Sequence, residues 1–269
     1  MKKLGFIGAG NMAGALVKGL LETGRYRARD LWASDTEPSQ LRRLARAYRV
    51  EAAPNNLALV RDSAVVILAV KPQVMDAVLA EVRPAASRRQ LFVSIAAGIP
   101  TARLEAGLGA GARVVRVMPN TPALVGVGMT VVVRGRRATA DDEKLAAALF
   151  GGVGDVVRVR DEGLMDAVTG LSGSGPAYVY RFAEGLIAGA VAEGLPEAVA
   201  HRLACQTIRG AAVMLQETAH SPEELRAMVT SPGGTTLAGL GALDASGFVA
   251  TVAAAVTAAT RRSRELGRG

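Results

Sequence analysis

Cysteine and histidine are nearly missing: Cys205, His201 and His220 are the only ones in 269 residues. One cysteine excludes an internal disulfide and two histidines cannot build a His-rich metal site, so no metal is expected and the compartment reads as reducing and cytoplasmic. Long apolar runs are missing too. No stretch reaches the roughly 20 apolar residues of a membrane span without proline, glycine or a polar interruption, so a soluble protein with no membrane partner is expected. Aromatics are 4% of the chain and nowhere interleave with a basic stripe. The formal charge of +8 comes in scattered pairs such as Arg42-Arg43, Arg88-Arg89, Arg136-Arg137 and Arg261-Arg262. That scatter argues against nucleic acid and leaves a field that draws in small anions, such as acidic cofactors and carboxylates.

Half of the residues are apolar, enough for a sizeable core and two ordinary domains. The stretch Leu4-Gly5-Phe6-Ile7-Gly8-Ala9-Gly10-Asn11-Met12-Ala13-Gly14 reads as a short buried strand, a glycine turn and the start of a helix. Gly8 allows the tight turn, Gly10 lets the backbone approach a pyrophosphate, and Ala13 keeps the helix close to the sheet. Leu31 to Asp35 reads as the second strand of such a unit, with Asp35 placed to accept from a free ribose diol. Alone, that carboxylate favours NAD over NADP. Arg42 and Arg43 in the next helix offset its repulsion of a 2′-phosphate, and Ser34 and Thr36 offer donors to one. The competing reading makes Asp35 only a turn or cap acid before Pro38.

Ala64 to Val70 is an unbroken apolar run, as expected of a parallel strand buried on both faces, and it ends in Lys71-Pro72. Leu91 to Ile95 before Ala96-Ala97-Gly98, and Val114 to Met118 before Pro119-Asn120-Thr121-Pro122, repeat the pattern. Helical segments Gln73 to Val82 and Thr101 to Ala106 lie between, giving βαβ units, and Met129 to Val133 and Val156 to Val159 extend the sheet. From about Asp161 the chain turns Ala- and Gly-rich. Five segments there are long enough for helices: Ala177 to Glu193, Pro196 to Glu217, Pro222 to Met228, Thr235 to Leu243 and Phe248 to Leu266. Several are small or apolar around most of their circumference, which implies either a central place in a large domain or burial against another chain. The fold class is α/β, a Rossmann domain over residues 1–160 followed by an all-helical domain over 161–269.

Two glycine-rich stretches in the helical half look functional. Thr169-Gly170-Leu171-Ser172-Gly173-Ser174-Gly175-Pro176-Ala177-Tyr178 reads as a loop opening a helix. In Thr230-Ser231-Pro232-Gly233-Gly234-Thr235-Thr236, free N–H groups and hydroxyls at a helix N-terminus make a cradle for a carboxylate. With the glycine loop, Ala69-Val70-Lys71-Pro72 and Met118-Pro119-Asn120-Thr121-Pro122, these stretches resemble, in order, the motifs of the pyrroline-5-carboxylate reductases.

The resemblance implies the last step of proline synthesis, reduction of 1-pyrroline-5-carboxylate by NADPH or NADH. It implies a helical domain that makes a homodimer, a decamer built from dimers, and an active site at the domain junction. Thr236 then reaches the imine nitrogen, while Ser231, Gly233, Gly234 and Thr235 bind the substrate carboxylate. The cofactor residues are Gly8, Ala9, Gly10, Asn11, Met12, Ser34, Asp35, Asn56, Ala69, Val70, Lys71, Pro72, Ala97, Gly98 and Asn120. At Asn56, beside the adenosine ribose, many relatives carry Ser, which leaves the choice between NADH and NADPH open. Two other readings stand beside this one. A β-hydroxyacid dehydrogenase would share Gly170, Gly173 and Gly175 but needs a lysine where Val179 stands. A non-catalytic dinucleotide-binding regulator would have no use for the carboxylate cradle.

Overall fold

The computed structural model describes residues 2–109 and 111–268. The chain runs β1 (Lys2–Ile7), α1 (Asn11–Glu22), β2 (Leu31–Ser34), α2 (Pro38–Tyr48), β3 (Glu51–Ala52), α3 (Asn56–Asp62), β4 (Ser63–Leu68), α4 (Met75–Val82), β5 (Leu91–Ser94), α5 (Thr101–Leu108), β6 (Arg113–Pro119), β7 (Gly128–Arg134), α6 (Ala140–Phe150) and β8 (Gly154–Arg158). It continues with α7 (Met165–Val168), α8 (Gly175–Ala192), α9 (Glu197–Glu217), α10 (Pro222–Met228), α11 (Thr235–Ala245) and α12 (Phe248–Arg268).

The strands form one sheet in the order β3-β2-β1-β4-β5-β6-β7-β8, parallel except that β7 pairs antiparallel with β6. β8 pairs parallel with β7. The period of two in β4 sorts its side chains onto both faces. Val65 and Ile67 join Phe6, Leu16, Leu20, Val117 and Phe150 on one side, and Val66 and Leu68 join Trp32, Leu59, Phe92, Met75 and Leu104 on the other. Both faces are covered, which is why a parallel sheet reads as continuous apolar runs.

By packing, the chain divides into two compact units, Met1–Ser174 with Thr257–Gly269, and Gly175–Val256. The 169–173 stretch, expected as a loop, is instead a single π-helical turn continuing α7. Ser174 donates its N–H to Thr169 O at 2.9 Å, five residues back, and a Cβ on Gly173 would collide with Met118 Cε. Gly173 thus allows close packing under a widened turn rather than ending a helix.

The second unit has almost no core of its own. Ala200 and Ala204 of α9 are buried, whereas α8, α10 and α11 bury no residue. Apolar side chains stand in water along it, among them Tyr180, Leu203, Met214, Leu237 and Val249. Tyr178, Phe182, Leu186, Leu243, Phe248 and Val252 line an apolar groove of about 550 Å³. Among the described residues no single helix is long and apolar enough to cross a membrane.

Candidate active site

The sheet reverses its direction of growth between β1 and β4. In open α/β sheets, ligands bind outside the strand C-termini at such a point. Three strand ends are laced together here. Gly8 donates its N–H to Ser34 O and Ala69 donates to Ile7 O, both at 2.8 Å. Gly8 has φ +101°, and a Cβ on it would stand 2.5 Å from the Ala69 carbonyl oxygen, so only glycine fits.

Gly10 is glycine for another reason. Its φ is −68°, and nothing lies within 4 Å of where a Cβ would stand. Neither the backbone nor the packing requires glycine there, whereas a ligand approaching the backbone does. Behind it, Ala9 and Ala13 are buried and Met12 is half-buried. Helix α1, starting at Asn11, has no side-chain cap and no acid in its first turn, so its leading N–H groups remain for an anion. A dinucleotide pyrophosphate fits this cradle.

On the ribose side, Ser34 Oγ donates to Asn56 Oδ1, and Asn56 Nδ2 donates to Glu81 Oε2 at 2.7 Å. Asp35 accepts two backbone donors, Ala9 N at 2.7 Å and Glu37 N at 2.8 Å. It therefore does the work of a turn acid. Glu81 was not among the expected site residues, because only the packing of α3 beside α4 brings it to Asn56.

Beyond β4, Ala69 and Val70 are half-buried and Lys71 is exposed, and Pro72 opens a short 3₁₀ turn. Beyond β5, Ala97 is half-buried, and buried Gly98 packs under the end of α12, where a Cβ would stand 3.2 Å from Leu266 Cβ. Beyond β6, Asn120 is built into the protein on both sides of its amide. Its Oδ1 accepts from Met129 N at 2.8 Å and its Nδ2 donates to Ser172 O at 3.2 Å in the π turn. All the expected cofactor residues lie after the C-terminal ends of β1, β2, β4, β5 and β6, apart from Ser34, the last residue of β2, and Asn56 at the start of α3.

The second unit gathers the expected substrate residues on one turn. Gly234 donates its N–H to Ser231 O at 3.0 Å, and a Cβ on Gly234 would collide with Ser231 Oγ. Gly233, at φ +71°, takes the chain into α11. The helix has Gly234 as its N-cap with no side-chain cap, so the N–H groups at its start are not used by a side chain. Thr236 is half-buried, and Ser231, Gly233 and Thr235 are exposed.

Residues 162–266 match the family model of pyrroline-5-carboxylate reductase dimerisation, and residues 3–98 match that of coenzyme F420-dependent NADP oxidoreductases. The chain is 43% identical to a pyrroline-5-carboxylate reductase of Methanosarcina acetivorans, over 99% of this chain and 98% of that one. Among solved structures it is similar to a pyrroline-5-carboxylate reductase of Coxiella burnetii, with TM-score 0.91, 35% identity and 98% of each chain covered. It is also similar to a pyrroline carboxylate reductase of Plasmodium falciparum with NADP bound, with TM-score 0.88, 32% identity and 98% of each chain covered.

Proposed function

The chain belongs to the pyrroline-5-carboxylate reductase family, and from that premise we propose which residues carry each part of the reaction. It is an enzyme that reduces 1-pyrroline-5-carboxylate to L-proline with NAD(P)H, the last step of proline biosynthesis. When bound, the dinucleotide supplies the hydride. Gly8, Ala9, Gly10, Asn11 and Met12 hold its pyrophosphate, and Ser34, Asp35 and Asn56 meet its adenosine ribose. Ala69, Val70, Lys71, Pro72, Ala97, Gly98 and Asn120 form the walls beyond.

Reducing an imine places hydride on carbon and leaves the C=N π pair on nitrogen. A ring nitrogen that arrives protonated needs no strong acid from the protein, which accounts for a site without histidine. Ser231 and the N–H groups of Gly233, Gly234 and Thr235 hold the substrate carboxylate, and the Thr236 hydroxyl hydrogen-bonds the ring nitrogen. The observation that carries this assignment is the start of α11, which lacks a side-chain cap. Thr236 stands at the second helical position, past the Gly234 N-cap, so capping does not account for its hydroxyl. The helical part serves dimerisation, and the chain is a homodimer. A decamer built from dimers, a cytoplasmic location and a functional division into residues 1–160 and 161–269 complete the proposal.

The test is oxidation of NADH and NADPH with 1-pyrroline-5-carboxylate and with a β-keto acid, where turnover of the keto acid alone would overturn the reading. Thr236→Ala should lower turnover by about 10- to 1000-fold with an unchanged melting temperature, and Thr236→Ser should keep most of the rate. Ser231→Ala should raise the Michaelis constant and leave turnover largely intact. A Thr236→Ala enzyme that turns over like the parent at saturation, or a Thr236→Ser enzyme equally slow, removes Thr236 from this role.

A further inference from the structure

The tail of α12, residues Thr257–Gly269, packs with the unit that contains the sheet. In a sheet of order 3-2-1-4-5-6 each half takes one mononucleotide. Here the glycine loop and the end of β2 serve the adenosine half, and the ends of β4, β5 and β6 serve the nicotinamide half. The tail reaches this second group at two places.

The first is Gly98, beyond β5. The segment that carries it is pinned at both ends: Ile95 donates its N–H to Leu68 O at 3.2 Å, and Thr101 donates its N–H to Glu162 Oε1 at 2.8 Å. Between these anchors Ala97 and Gly98 make no hydrogen bond among the described residues, so packing holds them. That packing is backbone against backbone. A Cβ on Gly267 would stand 2.8 Å from the Gly98 carbonyl oxygen, and a Cβ on Gly98, at φ +74°, would stand 3.6 Å from Gly267 N. The second place is Asp166. Ser263, only 3% exposed, donates its hydroxyl to Asp166 Oδ1 at 2.6 Å. Asp166 lies in α7, which runs directly into the π turn, and Ser172 O of that turn accepts from Asn120 Nδ2 at 3.2 Å. One helix tail therefore meets the turn after β5 and, through Asp166 and the π turn, the asparagine after β6.

We propose that Ser263 and Gly267 are positioning residues for hydride transfer. By holding Asp166 and Gly98 they set the walls between which the nicotinamide ring lies, while the adenosine half binds independently of them. This rests on the assignment of Ala97, Gly98 and Asn120 to the cofactor site.

Gly267→Ala places a methyl group on a backbone carbonyl that cannot swing aside. Alanine is the better helix former, so the melting temperature should not fall. Misplacement by about 1 Å costs up to about 100-fold in rate, so kcat with 1-pyrroline-5-carboxylate and NADPH should drop by about tenfold or more. The Kd of ADP, which occupies only the adenosine half, should stay within about twofold of the parent by calorimetric titration. Ser263→Ala should lose kcat severalfold, again without loss of ADP affinity. Asp166→Asn, which keeps Oδ1 as an acceptor, should retain most of the rate that Asp166→Ala loses. Parent-like kcat in both Gly267→Ala and Ser263→Ala overturns the proposal. So does a loss of ADP affinity or of melting temperature in proportion to the loss of rate, which would make the tail a structural brace. A parent that fails to bind ADP overturns the dinucleotide reading itself.

Discussion

Glu162 should be among the most costly residues to remove, although it stands outside the expected site. Its carboxylate accepts from Thr101 N at 2.8 Å, from Thr101 Oγ1, and from Arg116 Nη1 at 3.1 Å. Thr101 opens α5, whose N-cap, Pro100, has no side-chain bond to give, so Glu162 caps that helix from 61 residues away. Loss of a cap costs about 1 kcal/mol, and leaving a buried arginine without its counter-charge costs roughly 3 kcal/mol or more. The second term applies because the Arg116 side chain is only 6% exposed. Glu162→Ala should therefore destabilise by about 3–5 kcal/mol in urea unfolding at fixed protein concentration. Glu162→Gln keeps an acceptor for Thr101 and should lose about 2–3 kcal/mol, most of which Arg116→Met in the same chain should restore. A Glu162→Ala enzyme within about 1 kcal/mol of the parent, or a double variant no better than Glu162→Gln, would refute the argument.

The two loop glycines should separate by assay. Gly8→Ala forces a Cβ onto the Ala69 carbonyl at φ +101° and should yield little folded protein on expression, whereas Gly10→Ala should melt within a few degrees of the parent and bind NADPH at least about tenfold more weakly by fluorescence titration. Asp35→Ser should raise the kcat/KM ratio of NADPH over NADH by removing a charge that repels the 2′-phosphate by about 1 kcal/mol. It should also raise both Michaelis constants, because the Ala9 N–H loses its acceptor. Dilution of the enzyme should lower its melting temperature and its activity together, as read by scanning calorimetry and initial rates across a concentration series.

Most of the sheet was legible because strands such as β4, β5 and β6 read as apolar runs followed by small residues or proline, and the glycine loop placed the crevice, whereas β3, only Glu51–Ala52, gave no such run. Helix α6 was missed although Thr139-Ala140-Asp141-Asp142 carries its capping box, with Asp142 accepting from Thr139 N at 2.8 Å. Helix α3 was hidden behind Pro54-Asn55-Asn56, which reads as a turn until Asn55 is seen to accept from Ala58 N at 2.8 Å. The π turn could not be read at all, since its Gly173 is explained by Met118, which is distant in sequence. The reach of Arg43 to Asn11, 32 residues away, depends on how α2 lies beside α1, and no local pattern encodes that.

The composition of the helical half leads to a further step. Helices rich in alanine and glycine approach closely and bury little area each, so a small unit made of them gains too little from its own contacts to offset its chain entropy. Burying side chains such as Tyr180, Leu203, Met214 and Val249 contributes about 1.5–3 kcal/mol each, and in the single chain all four are exposed. The turn that carries Ser231, Gly233, Gly234, Thr235 and Thr236 belongs to this unit. On the proposed roles of these residues, a second copy covering those faces, in keeping with the dimerisation family model, would fix the turn's geometry, and the order that imine reduction demands would then be a property of the dimer.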